Sequence, residues 1–436
     1  MAGRDLANEI SILPRALSGA GRRTVPAADI EELLRLCGWA LAPVSDGAAA
    51  AHDALAGLIA NGLPFAETAA GRRYDPAEVV NFIKQAQGGA GDLWQRYVGT
   101  GRALLAESIG LADKAAPDFA ALPPLRFEVE IRRSFDLSGV GTDGRLRLRL
   151  PLPVASARLR LLSVTPILPE GVQHVAAPGR IEVRMRHPGT ARIDLAVRML
   201  FVADPAGPDT AGTTEPIWLA RDAGPIPVTA AVQALASDVA GSIGDPLDAV
   251  LALHDYLIDG FRCGVMPYDR LPAASVGEWI LDCGWYDCRL AAALLVALCR
   301  ARGIPARLVG GYLLWRVPTE HYWAEVVIDG VWRPFDMLGW DLSAGGTDAA
   351  WRRTFAGATD YRLTTQILPD IFTGAPGIPL PTSWHRLTSL TEGGAETRLI
   401  TVPDGRVVLA EEVIVRADPS EEEGEAVRPL DPQAGR

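Results

Sequence analysis

The stretch Gly284–Met337, GWYDCRLAAALLVALCRARGIPARLVGGYLLWRVPTEHYWAEVVIDGVWRPFDM, decides how the chain is read. Its early part, RLAAALLVALCRARG, has the Ala/Leu content of a helix, and Gly303 is suited to stopping it. Residues 306–317 and 322–328 then alternate as strands. Asp329-Gly330 joins the second of these to VWRPFDM and is a strong hairpin signal. The expected product is α+β: a helix packed on an antiparallel sheet.

Cys288 stands at the mouth of that helix. A thiol there feels the positive end of the helix dipole and the free backbone N–H groups, both of which favour thiolate. The N–H of Cys288 itself is placed to donate to an oxyanion formed when the thiolate attacks a carbonyl. Asp287, directly before the thiol, opposes thiolate formation unless its side chain caps the helix. Cys299 falls on the apolar face about three turns on and reads as packing. His321 begins the first strand of the hairpin and Asp336 ends the second, so pairing brings them together to within one bulge or register step. A thiolate–imidazolium pair needs a third group to orient the imidazole, and Cys288, His321 and Asp336 supply the three roles. Taken singly, each has a plain structural reading; their joint order and placement favour chemistry.

The remainder of the chain reads as support. Its 436 residues suggest two to four domains, and 48% hydrophobic with 22% charged content is that of a soluble globular protein. A net charge of −11 argues against nucleic acid as a partner, since phosphate binding needs clustered basic residues. The basic residues are almost all arginine; only Lys84 and Lys114 are lysines, which leaves few acceptor amines on the protein's own surface. Five scattered cysteines, Cys37, Cys263, Cys283, Cys288 and Cys299, fit a reducing compartment. The N-terminal residues have no signal-type apolar core and no run is long enough to span a bilayer, so a cytoplasmic protein without a membrane partner is expected.

Residues 1–120 read as a helical domain, with Ile30, Leu33, Leu34, Cys37 and Ala40 on one face and His52 as a solvated or packed side chain. Near Pro123 the apolar period changes to that of a strand. Residues 121–206 read as an antiparallel β-sandwich of roughly seven strands, in which alternate arginines such as those of RLRLRLPLP mark the wet side. Residues 207–226 are Pro/Gly/Thr-rich and read as a linker. A catalytic core spans 227–345, including an amphipathic helix with Ala249, Leu253, Tyr256 and Leu257 on its apolar face and His254 beside it. Residues 346–417 read as a β extension of that core, with a hairpin through Pro403-Asp404-Gly405, and 418–436 as a disordered acidic tail.

The central motifs resemble the transglutaminase-like superfamily of papain-related fold. They are Cys288-Arg289, Arg300-Ala301-Arg302-Gly303-Ile304-Pro305-Ala306-Arg307, Gly311-Tyr312, His321-Tyr322-Trp323-Ala324-Glu325-Val326 and Trp332-Arg333-Pro334-Phe335-Asp336. The resemblance is close over 245–345, and the sandwich with its LRLPLP segment looks like the domain that often precedes such cores in bacterial members. It implies cysteine acyl chemistry with Cys288 as nucleophile, and the family's helix length prefers Cys288 to its neighbour Cys283. Two positions depart from the pattern: Tyr286 stands where the family commonly has Gly, and Leu290 where an acidic residue is frequent. Trp285, Tyr286 and Trp323 are candidates to line an acyl pocket or supply an oxyanion donor, with aromatic packing the equal alternative. The expected substrate is a peptide, small-molecule or carrier-bound acyl donor. No cofactor or metal is implied, since the sequence has neither C-x-x-C nor H-E-x-x-H spacing and no acidic loop for the calcium that some animal relatives use.

Overall fold

Apolar residues at helical spacing make α1 (Ala27–Leu36), α2 (Gly47–Ala60) and α3 (Asp92–Ser108), with Ile30 and Leu34 of α1 buried against the same cluster as Leu55 and Leu58 of α2. The structure, a computed structural model, describes residues 17–18, 21–22, 25–36, 47–74, 79, 82–84, 92–111, 115–142, 145–154, 156–177, 179–210, 215–222, 226–264, 276–315, 318–368, 384–387, 396–402 and 405–418. Cys37 and Ala40 lie outside them. His52 is exposed and meets Glu31 of α1 at 2.8 Å, a partner that its sequence context did not reveal. The N-terminal part is also not purely helical: Val25–Pro26, Ala66–Thr68 and Gly71–Tyr74 form a small antiparallel sheet. Its hairpin turns at Gly71, whose φ of +98° few other residues adopt.

Period-2 patterning then produces β1 (Leu125–Val140), β2 (Arg145–Pro151), β3 (Leu159–Ile167), β4 (Gln173–Ala177), β5 (Arg180–Arg186) and β6 (Arg192–Ala203). Strands β2, β5 and β4 form one sheet, while β3, β6 and β1 belong to another. The alternate arginines do more than face water. Arg198 and Arg132 converge on the buried carboxylate of Glu130, and Arg184 pairs with buried Glu182 at 2.6 Å.

The segment between sandwich and core is strapped to the core. Thr210 bridges Val331, the Trp332 N–H donates to Asp209 O at 2.8 Å, and Trp218 packs edge-on against Trp332. Among the described residues, this Pro- and Gly-rich connection therefore also packs on the core.

Side-chain caps start the core helices α4 (Ala230–Ala240) at Thr229 and α5 (Pro246–Gly260) at Asp245. Helix α6 (Val276–Cys283) and α7 (Cys288–Ala301) follow. Every residue of α7 from Arg289 onward is buried, making it the central helix. It ends in a Schellman motif: Gly303 at φ +74° donates to Arg300 O, and Ile304 N–H to Cys299 O at 2.9 Å. Strands β7 (Ala306–Leu313), β8 (Thr319–Ile328), β9 (Val331–Phe335) and β10 (Arg362–Leu368) form an antiparallel sheet in the order β9-β8-β7-β10. Tyr322, Ala324, Val326 and Ile328 of β8 share the apolar cluster of α7. The mixed α+β architecture, a helix on an antiparallel sheet, is that expected of a papain-like transglutaminase core.

The last strands go elsewhere than expected. β11 (Trp384–Leu387), β12 (Glu396–Val402) and β13 (Gly405–Asp418) extend the sandwich sheet in the order β11-β12-β13-β1-β6-β3, with no pairing to the core sheet among the described residues. The hairpin between β12 and β13 closes with Val402 opposite Gly405. The period-2 pattern identified these strands, but β1 is long enough to take β13 along almost its whole length, from Val140 to Arg126. Residues 419–436, read as a tail, lie outside the described set. Among the described residues no helix is long and apolar enough to cross a membrane.

Candidate active site

Gly284, at φ +64°, ends α6, and Trp285–Tyr286 then run parallel to Arg262–Cys263 before Asp287 caps α7. The Asp287 carboxylate accepts the Leu290 backbone N–H at 3.0 Å. This answers the charge problem beside the thiol: the carboxylate is turned into the helix cap. Cys288 is the first residue of α7 and half-buried.

Asp329 and Gly330, at φ 53° and 74°, form the two-residue turn between β8 and β9 and set their register. Continuing that register, Asp336 lies opposite Trp323 and reaches His321 diagonally along one face of the sheet. His321 Nε2 is 2.9 Å from both Asp336 oxygens, and both residues are buried. The Cys288 thiol also interacts with the imidazole. Burial opposes protonation of His321, but the Asp336 carboxylate and Cys288 overcome it and push its pKa up to about 10. Burial likewise penalises the Asp336 carboxylate, yet His321, Arg362 and the Leu338 N–H together hold it well below the usual range. Such a group can keep a proton beside a sulfur and deliver it to a neighbouring atom.

The aromatic candidates resolve differently. Tyr286 is fully buried, stacks on Phe261 at 5.4 Å and donates its hydroxyl to Leu257 O at 2.9 Å. It packs the core and is not exposed to a substrate, because the short parallel strand turns it inward. Trp323 is buried among Val309, Trp332 and Ile367, with its indole N–H 3.5 Å from Glu325 Oε1; it too is a packing residue. The side chain of Trp285 lies outside the described set. Leu290 is buried on α7.

Cys299 is buried and its thiol is pushed up to about 12; buried Cys263 is also raised well above a free thiol. Cys283 is exposed at the end of α6, with its sulfur 3.8 Å from Ile280 O. His254 belongs to the buried face of α5, whereas Tyr256, expected there, is exposed. Burial lowers the His254 pKa to about 4, and its ring packs edge-on against Phe335. Two side chains escaped sequence reasoning. Arg362 approaches Asp336 from β10, and Asp360 in turn pairs with Arg362; neither lies in a motif that points to the site.

The motif arginines serve the frame. Arg300 donates to the carbonyls of Trp218, Ala220 and Ala306, and Arg307 joins Glu325 and Asp209 while stacking on Trp332 at 4.0 Å. The N-terminal helices dock just past Asp336: Lys84 meets Asp341 at 2.8 Å, Trp94 packs on Trp340, and Arg102 donates to Leu342 O.

Residues 233–337 match the family model described as the transglutaminase-like superfamily. No curated protein is similar in sequence. A solved structure of a candidate cysteine protease from Cytophaga hutchinsonii is similar at 13% identity, over 71% of this chain and 96% of that one, with a TM-score of 0.43. The periplasmic domain of TgpA from Pseudomonas aeruginosa aligns at 17% identity, over 55% of this chain and 96% of that one, with a TM-score of 0.29. A candidate protease from Parabacteroides distasonis aligns at 10% identity over 64% and 70%, with a TM-score of 0.23.

Proposed function

From the match of residues 233–337 to the transglutaminase-like superfamily model, we propose that the protein is a cysteine acyl-transfer enzyme acting through Cys288, His321 and Asp336. The observation that carries the reading is the buried His321–Asp336 pair at 2.9 Å beside a half-buried thiol at a helix start. Thiolate sulfur attacks the carbonyl carbon of an amide or other acyl donor, and the carbonyl electron pair moves onto oxygen. The Cys288 backbone N–H is the donor for that oxyanion. Collapse expels the amine, which takes the proton held by His321, and leaves a thioester on Cys288. An incoming amine gives its proton to His321 as it attacks the thioester carbonyl; the C–S bond breaks, the amide leaves, and the Cys288 thiolate beside protonated His321 is restored.

The acceptor we favour is an amine, giving transamidation or amide-bond formation on a peptide, small-molecule or carrier-bound acyl group. A transamidating enzyme benefits from offering few amines of its own, and Lys84, one of two lysines, is buried against Asp341. Hydrolysis by water, a peptidase or amidase activity, is the competing outcome. Supplying an acyl donor with and without amines and weighing the products decides between them; free acid alone, whatever amine is offered, rules out the transferase. An inactive binding scaffold is the third outcome, and it would leave every activity unchanged in Cys288→Ala. We place the protein in the cytoplasm because its five cysteines are odd in number and scattered over a large chain, which suits a reducing compartment; cell fractionation tests this.

A further inference from the structure

Each oxygen of Asp336 has a second partner besides His321. Oδ1 accepts the Leu338 backbone N–H at 2.8 Å, and Oδ2 lies 2.5 Å from Nη1 of Arg362. Arg362 opens β10, outside the residues that match the family model, and is buried like the pair it meets. It is itself held on several sides. Its Nε donates to Asp360 Oδ1 at 2.9 Å, and the guanidinium lies 4.8 Å over the Trp323 ring and 5.9 Å from that of Phe355. Asp360 also accepts the indole N–H of Trp315. A chain of contacts therefore runs from Trp315 through Asp360 and Arg362 to Asp336 and His321.

We propose that Arg362 is a positioning residue for the Cys288–His321–Asp336 set: it pins the Asp336 carboxylate in the rotation that meets His321 and offsets part of its charge, so that His321 can release its proton. The proposal rests on the catalytic reading above. His321 equidistant from two oxygens does not by itself fix the carboxylate, so the Leu338 N–H and Arg362 supply the constraint. A buried carboxylate with the imidazolium as its sole counter-charge binds that proton tightly, which makes a poor general acid. A second cation shares the carboxylate and loosens the proton. The other titratable groups facing the pair are Cys288 from the start of α7, His254 from α5, and Asp360 beside β10. His254 is kept neutral by burial, so it does not substitute for Arg362. A planar guanidinium suits the place better than an ammonium, since it faces two carboxylates at once while lying on an indole ring.

The test is the pH dependence of Cys288 alkylation by iodoacetamide, followed by mass spectrometry of its peptide, so it needs no substrate. Removing a positive charge raises proton affinity at the neighbouring groups. Arg362→Met is expected to move the midpoint of the curve up by about one pH unit, the size an adjacent charge commonly gives. Arg362→Lys should move it back toward the wild-type value. Asp360→Asn removes the opposite charge and should move the midpoint down. A purely structural role would lower folding yield or stability in all three variants and leave the midpoints together; coincident midpoints overturn the proposal. If Arg362→Met does not fold, the sign of the Asp360→Asn shift decides alone, and an unshifted or upward midpoint overturns it. Failure of the catalytic reading looks different: wild-type Cys288 would then react no faster than exposed Cys283 at any pH, removing the proposal together with its premise.

Discussion

Asp336 meets the imidazole of His321 with both oxygens, 2.9 Å each, although the register of β8 and β9 places it opposite Trp323. The diagonal contact couples two buried charges, so folding and pH are linked through it. His321 is raised from 6.5 to about 10 in the folded chain, against burial and through Asp336 and Cys288. The unfolded chain releases this proton first. The stabilisation is therefore complete below about pH 6.5 and is lost as pH rises toward 10, on the order of 5 kcal/mol. Urea denaturation across that window should show the loss in wild type and a flatter profile in His321→Gln. In a donor assay, Asp336→Asn should cost about 10³–10⁴ in kcat, the scale seen when the orienting carboxylate of a serine-protease triad is removed.

His254 works in the opposite sense. Burial lowers it from 6.5 to about 4, so the unfolded chain takes up a proton that the folded chain refuses. Stability should fall as pH drops through that interval, and His254→Leu should flatten the acid side of the denaturation profile while leaving the alkaline side intact. An unchanged acid limb would mean that the buried ring is already protonated or reached by water.

Tyr286→Phe separates packing from catalysis. Its hydroxyl donates to Leu257 O inside the core, so removing it leaves a buried carbonyl short of a donor and should cost about 1 kcal/mol. Turnover should stay within about twofold, because an oxyanion donor would instead cost 10²-fold or more. A large loss of kcat with normal stability would return Tyr286 to the active site.

What could be read from the residues alone was local. The Asp329-Gly330 turn, the Cys288 helix start and the Gly303 stop are each set by a few neighbouring residues, and the structure has all three. The His321–Asp336 contact follows from the turn, with a register offset that a bulge allowance covers. Period-2 patterning gives the face of a strand but not its neighbour. That is why the pattern alone puts β13 with the core when it pairs with β1, and why Arg362, arriving on β10 from the far side of β7, carries no signal in the sequence. Tyr286 and Trp323 stand near the thiol and the histidine in sequence, and only the inward turn of their strands shows that they pack.

Gly311 tests the register of the sheet. It faces His321 across β7–β8 and approaches β10 so closely that a Cβ would stand 1.9 Å from Leu363 O. Backbone cannot rotate aside as a side chain can, so Gly311→Ala should destabilise by about 3 kcal/mol or more. The clash pushes β10 away and draws Arg362 with it. Activity per folded molecule should therefore fall along with the denaturation midpoint.

Glu411 on β13 ties the sandwich to the core. Its carboxylate meets Arg133 of β1 at 2.5 Å and accepts the hydroxyl of Tyr312 on β7 at 2.7 Å, with both charged side chains almost wholly buried. Tyr312 directly follows Gly311, the cross-strand partner of His321, so the network reaches the site frame from the far end of the chain. Glu411→Gln keeps the shape but leaves the Arg133 charge without its counter-ion, and should cost about 3–5 kcal/mol in urea denaturation. The double variant Arg133→Met/Glu411→Leu replaces the pair with apolar groups of similar bulk and should recover most of that loss, since a buried pair is costly to break and cheap to replace. If the double variant is as unstable as Glu411→Gln, the contact of Glu411 with Tyr312, and not the charge pair, is what joins β13 to β7.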